Sequence, residues 1–106
     1  MATLSTHVLD TGAGRPATGV AVVLESPGGE ALGEARTDAD GRVGSLGGDL
    51  APGDYRLRFD TGGWFSAAGV EAFYPEVAVS FTIATDEHFH VPLLLSRYGY
   101  STYRGS

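Results

Sequence analysis

The sequence contains no cysteine, no lysine and no long apolar run, and each absence removes a class of function. Without cysteine there is no disulfide framework, no thiolate nucleophile and no Cys-ligated zinc or iron–sulfur site. Any catalysis falls to His, Arg, carboxylates or hydroxyls. The seven basic residues are all arginine and face thirteen acidic ones, for a net charge of −6. No basic stripe is available to follow a phosphate backbone, so nucleic acid is not an expected partner. No stretch approaches the ~18 apolar residues of a membrane-spanning helix. The opening MATLSTHVLD also lacks the charged start and apolar run of a secretory signal. These features predict a cytoplasmic protein with no membrane partner.

Glycine, by contrast, is abundant. Sixteen glycines and five prolines cut the 106 residues into short pieces rich in Val, Leu, Phe, Tyr and Thr, and alternation of period two within those pieces signals strands. The predicted strands are TLSTHVL, GVAVVLES, EALGEART, DYRLRFD, EVAVSFTI, HFHVPLLLS and GYSTYR, separated by the turn signals TGAGRP, PGG, DADG, APGD and TGG. Seven or eight short strands in a chain of this length predict an all-β, two-sheet sandwich forming one domain over residues 1–106. One segment differs. In SAAGVEAFYP, Ala67, Ala68, Glu71 and Ala72 favour helix, with Ser66 as cap and Pro75 as stop, which predicts a single short helix there. Trp64, Phe65, Phe73, Tyr74 and Phe81 read most simply as packing residues.

The three histidines fall where the strands make them informative. In TLSTHVL, Leu4, Thr6 and Val8 share one face while Ser5 and His7 share the other. In HFHVPLLLS, Phe89, Val91 and Leu93 alternate with His88, His90 and Pro92, so two imidazoles project from the same side of one strand. A lone strand histidine is ordinarily a surface or hydrogen-bonded structural residue, and two on one face weigh against that. His88 and His90 with His7 as a third ligand also have the residue types of a catalytic zinc site. Arg42 closes the turn TDADGR, where on residue chemistry alone it is an exposed cation paired loosely with Asp38 and Asp40. The same turn lacks the following bidentate Glu of a calcium loop. The closing stretch YGYSTYRGS carries Tyr100, Tyr103 and Arg104 where chain ends are usually bland.

Four stretches together carry a resemblance: LSTHVLDTGAGRPATGVAVVLE, TDADGR, HFHVPLLLS and YGYSTYRGS, in that order. They resemble the 5-hydroxyisourate hydrolases, transthyretin-like enzymes of urate breakdown, from about residue 3 onward. YRGS is the most specific, since hormone-carrying transthyretins share the fold but not this ending. The resemblance implies a transthyretin-like sandwich with one short helix and an active site using His7, Arg42 and His90 as catalytic residues. His88, Tyr103, Arg104, Gly105 and Ser106 are implied substrate-binding positions. Phe89 stands where the family commonly has Tyr, on the face away from the histidines. It further implies a homotetramer, a dimer of dimers with sites at the dimer–dimer interface. The implied small-molecule substrate is a purine derivative, and its hydrolysis is expected to require neither metal nor organic cofactor. The alternative reading is a transthyretin-like small-ligand binding protein without turnover.

Overall fold

The alternation read from the sequence becomes two packed sheets in the computed structural model, which describes every residue, Met1–Ser106. One sheet contains β1 (Thr3–Asp10), β2 (Arg15–Pro16), β5 (Arg42–Val43), β8 (His88–Leu95) and β9 (Tyr100–Thr102), in the order β2-β1-β8-β9 with β5 also paired to β1. The other contains β3 (Ala21–Glu25), β4 (Ala31–Arg36), β6 (Gly53–Phe59) and β7 (Val77–Ile83), in the order β4-β3-β6-β7. The near-continuous apolar run of β3 fits its interior place between β4 and β6.

Between the sheets lies one apolar cluster. Leu4 and Val8 of β1, Val22 and Leu24 of β3, Leu57 and Phe59 of β6, and Leu93 of β8 are all fully buried. Burial of each such side chain favours folding by roughly 1.5–3 kcal/mol. The polar members of the same strands are thereby turned outward, which is how the core fixes the outer face of β1 and β8. No helix is long and apolar enough to cross a membrane.

The helix is displaced from its predicted position. It spans Thr61–Ala67 (α1), and Ala68–Pro75 is irregular, so Ser66 is not its cap. Asp60, at the end of β6, is the N-cap: its carboxylate accepts the Gly63 N–H at 3.1 Å. Gly69, at φ 72°, ends the helix as the Val70 and Gly69 amides bond back to the Phe65 and Ser66 carbonyls. The glycine pair of TGG, read as a turn, is helical because tertiary packing overrides its poor propensity. Phe65 enters the core and Trp64 Nε1 donates to the Thr18 carbonyl at 2.7 Å. Phe73 is not a packing residue, being 70% exposed.

Two backbone features position the outer face of the first sheet. The turn before β5 is pinned by Asp38, whose carboxylate oxygen accepts the amides of Asp40 and Arg42, both at 2.9 Å. Those bonds hold the Asp38 carboxyl below its ordinary range, the Arg42 amide foremost. Gly41 in this turn has φ 76°, its carbonyl accepts the Val8 amide at 2.7 Å, and a Cβ there would collide with the Val8 carbonyl oxygen. Gly41→Ala is therefore expected to cost about 2 kcal/mol, the scale of enforced left-handed strain. In a domain of this size that corresponds to a fall of roughly 10 °C in Tm. A thermal melt of the variant indistinguishable from the parent would contradict this placement of the turn.

Candidate active site

Strands β1 and β8 run parallel with Thr3 opposite His88, Ser5 opposite His90 and His7 opposite Pro92. On its other side β1 pairs with β5, which sets His7 opposite Arg42. Side chains two apart on a strand share a face, so Thr3, Ser5, His7, His88, His90 and Arg42 all project from the outer side of one sheet. The closing stretch completes the arrangement. Beyond β9 the chain runs on beside β8 in the same antiparallel register, and the Gly105 amide donates to the His90 carbonyl at 2.8 Å. A Cβ at Gly105 would sit 2.5 Å from His90 Cδ2; only glycine lets the backbone lie this close against the imidazole.

The result is a polar cleft of about 460 Å³ lined by Ser5, His7, Arg42, His88, His90, Tyr103, Gly105 and Ser106. The structure thus brings together seven of the eight site residues expected from the sequence and leaves out Arg104. Its guanidinium turns to the other side of the sheet, where it stacks 4.5 Å above the Phe89 ring and pairs with Glu87 at 2.6 Å. Phe89 lies on that far face, as its alternation with the histidines requires.

Hydrogen bonds distinguish the three imidazoles. His7 Nε2 lies 2.8 Å from the Asp40 carbonyl oxygen. A carbonyl only accepts, so Nε2 carries the proton and Nδ1 of neutral His7 holds the lone pair. His88 has both ring nitrogens occupied, Nδ1 by Thr3 Oγ1 at 2.6 Å and Nε2 by Ser5 Oγ at 2.8 Å. His90 Nδ1 also meets Ser5 Oγ, at 2.8 Å, which leaves its Nε2 free. Partial burial lowers the His90 pKa below its ordinary value, and the neighbouring Arg42, His7 and His88 charges push it the same way. A neutral imidazole is therefore the dominant form at pH 7.

Arg42 makes no ion pair, because the turn carboxylate of Asp38 is engaged with backbone amides. Its guanidinium is left to the cleft, with its donors available to an oxygen-rich ligand. No three His, Asp or Glu side chains converge as metal ligands would. Sequence reasoning did not single out Ser5 or Thr3 as site residues. Their alternation with His7 was the available signal, but only the β1–β8 register reveals that they bridge to the histidines opposite.

Comparison with known proteins agrees with this geometry. The family model described as HIUase/Transthyretin matches residues 4–105. A 5-hydroxyisourate hydrolase of Salmonella dublin is 52% identical over 109 aligned residues, covering 97% of this chain and 80% of the relative. The structure of Klebsiella pneumoniae 5-hydroxyisourate hydrolase superposes with a TM-score of 0.93 at 44% identity, covering 100% of this chain and 94% of that one. Sea bream transthyretin in complex with thyroxine superposes at 0.91 with 28% identity, covering 96% and 93%. A match over nearly the whole chain, on a sandwich of the same architecture, makes this protein a member of the HIUase/transthyretin family.

Proposed function

We propose that the protein hydrolyses 5-hydroxyisourate to 2-oxo-4-hydroxy-4-carboxy-5-ureidoimidazoline in urate degradation. The observation that carries the reading is the convergence of His7, His90 and Arg42 with Tyr103, Gly105 and Ser106 in one polar cleft. Two imidazoles each with one ring nitrogen free of a protein partner, beside an unpaired guanidinium, suit attack of water on a ring carbonyl.

In this mechanism His90 Nε2 accepts a proton from the attacking water, and His7 Nδ1 accepts the second water hydrogen bond and aims the oxygen. Negative charge then grows on the carbonyl oxygen. The Arg42 fork, with no carboxylate competing for it, is worth more to that oxyanion than to the ground-state carbonyl. Expulsion of the ring nitrogen is completed by return of the proton from His90. Tyr103 and Ser106 hold the flat substrate against the sheet, and His88 serves through Ser5 as well as by lining the cleft. The chain's own residues supply every proton transfer, so neither metal nor organic cofactor enters the scheme.

We further propose a homotetramer, a dimer of dimers with this cleft facing a neighbouring subunit. Support comes from the exposure of Phe73 and of Tyr98 at 61% on a single copy, more aromatic surface than an isolated domain ordinarily leaves wet. Two long outer edges, on β7 and β4, are also open to pairing. A second reading, ligand binding without turnover, draws on the likeness to transthyretin. It leaves the ordered imidazoles and the free Arg42 without a task.

The test is the ultraviolet decay of 5-hydroxyisourate, freshly generated from urate by urate oxidase and corrected for spontaneous decay. His90→Ala is expected to lower the catalysed rate by about 10²–10⁴-fold, the usual worth of general-base catalysis. Arg42→Ala is expected to lower it by roughly 10²–10³-fold, the usual worth of an oxyanion donor. Chelator treatment is expected to leave the rate unchanged. Decay of the parent protein at the spontaneous rate would sink the assignment, and loss of activity on chelation would turn it toward zinc.

The acid limb of kcat/KM should report His90 in the free enzyme. Protonation removes the base, so activity falls as pH drops through the His90 pKa. Desolvation and the adjacent Arg42, His7 and His88 charges put that midpoint below the ordinary histidine value of 6.5. A pH profile with its acid midpoint above 6.5 would exclude His90 as the titrating base.

A further inference from the structure

The hydrogen bonds from His90 do not stop at Ser5. They run without a gap from His90 Nδ1 to Ser5 Oγ at 2.8 Å, on to His88 Nε2 at 2.8 Å, and from His88 Nδ1 to Thr3 Oγ1 at 2.6 Å. Each link alternates a hydroxyl with an imidazole. A hydroxyl donates one proton and accepts others, and a neutral imidazole donates from one nitrogen and accepts at the other. The chain therefore has two complete arrangements. In one, every proton points toward His90, and its Nε2 carries the hydrogen. In the other, every proton points toward Thr3, and Nε2 bears the lone pair. His90 is half-buried, while His88 is exposed, so the line leads from the covered end of the cleft toward its open end.

We propose that Ser5, His88 and Thr3 form a proton relay that lets His90 act as base and then as acid without becoming an imidazolium. The inference rests on the hydrolase reading of the same cleft. In the forward step, water gives a proton to His90 Nε2 as its oxygen bonds to the carbonyl carbon. His90 Nδ1–H passes to Ser5 Oγ, the Ser5 hydroxyl proton to His88 Nε2, His88 Nδ1–H to Thr3 Oγ1, and the Thr3 hydroxyl proton to solvent. One proton enters the line and one leaves, and every member stays neutral. When the carbon–nitrogen bond breaks and its electron pair remains on nitrogen, His90 Nε2–H protonates that nitrogen. The line runs backward, taking a proton from solvent and restoring the arrangement in which Nε2 bears the lone pair.

The physical reason for such a device is the company His90 keeps. Arg42 on β5 and His7 on β1 stand on one side and His88 on β8 on the other, with the Gly105 backbone against the ring. A positive imidazolium among these groups, partly removed from water, would be costly. A relay exchanges that charge for four short proton movements. Ser5 is in this account a positioning residue: its hydroxyl joins His90 Nδ1 to His88 Nε2, so that His90 can hold its proton on either nitrogen.

Ser5→Ala cuts the line next to His90 and leaves His7, His90, Arg42 and the Tyr103–Ser106 stretch in place. The expected result is a kcat lowered about 10–100-fold with KM changed by less than twofold. Ser5→Thr keeps a hydroxyl and should recover most of the loss. Independently of any substrate, nitrogen-15 spectra of the His90 ring should report a mixture of the two neutral forms in the parent and a single form in Ser5→Ala. Parent-like kcat in Ser5→Ala, a loss confined to KM, or Ser5→Thr as impaired as Ser5→Ala would each overturn the relay. If the parent protein fails to hydrolyse 5-hydroxyisourate, the functional reading falls. The nitrogen-15 comparison then decides the relay alone, supporting it if the His90 form changes on losing Ser5 and overturning it if the spectra match.

Discussion

The cleft depends on eight consecutive parallel partners between β1 and β8, from Thr3 opposite His88 to Asp10 opposite Leu95. Because side chains alternate between faces, a slip of one residue would turn His7 or His90 into the core and bring Leu4 or Phe89 out. The core prevents such a slip. Leu4, Val8 and Leu93 lie fully buried against the second sheet, and exposing any of them costs more than a displaced polar side chain gains. Thr6, the one buried polar side chain of β1, is reconciled with burial by donating to the Val91 carbonyl at 2.6 Å. The hydrophobic interior and the cleft-forming face are thus two sides of the same register.

Two backbone closures then add what the paired strands lack. The Asp38 turn supplies a cation, and it does so by spending its carboxylate on amides, so that Arg42 arrives without a counter-ion. The closing stretch supplies a wall, and it requires Gly105 where any other residue would meet the imidazole. Both devices use the main chain to decide what a side chain is free to do. The arginines illustrate the difference: Arg58 sits between Glu25 and Glu76, and Arg104 between Glu87 and the Phe89 ring, whereas Arg42 faces the cleft alone.

Much of this was legible in the sequence, because period-two alternation is a direct signature of a half-buried strand. TLSTHVL and HFHVPLLLS announced both the buried residues and the outward histidines. What was not legible depended on partners far away in the chain. The helix over Thr61–Ala67 contains two glycines and exists because Asp60 caps it and Phe65 packs inward, neither of which propensity records. The two-residue strands Arg15–Pro16 and Arg42–Val43 are too short to show a pattern at all. Arg104 belongs to the signature ending, yet its direction is set by Glu87 and Phe89. Ser5 looked unremarkable until the opposite strand was known, since a serine becomes a bridge only when imidazoles stand across from it.

The central claim is that the outer face of the β1–β8 pair, closed by Gly105, is where a planar oxygen-rich purine derivative binds. The most direct measurement is an amide nitrogen–proton spectrum of the protein titrated with urate, a stable relative of the proposed substrate. The account predicts shift changes concentrated at Ser5, His7, Arg42, His90 and Gly105. Changes concentrated instead on the outer face of β3 and β4, around Val23 and Glu34, with the histidine strand unmoved, would contradict it.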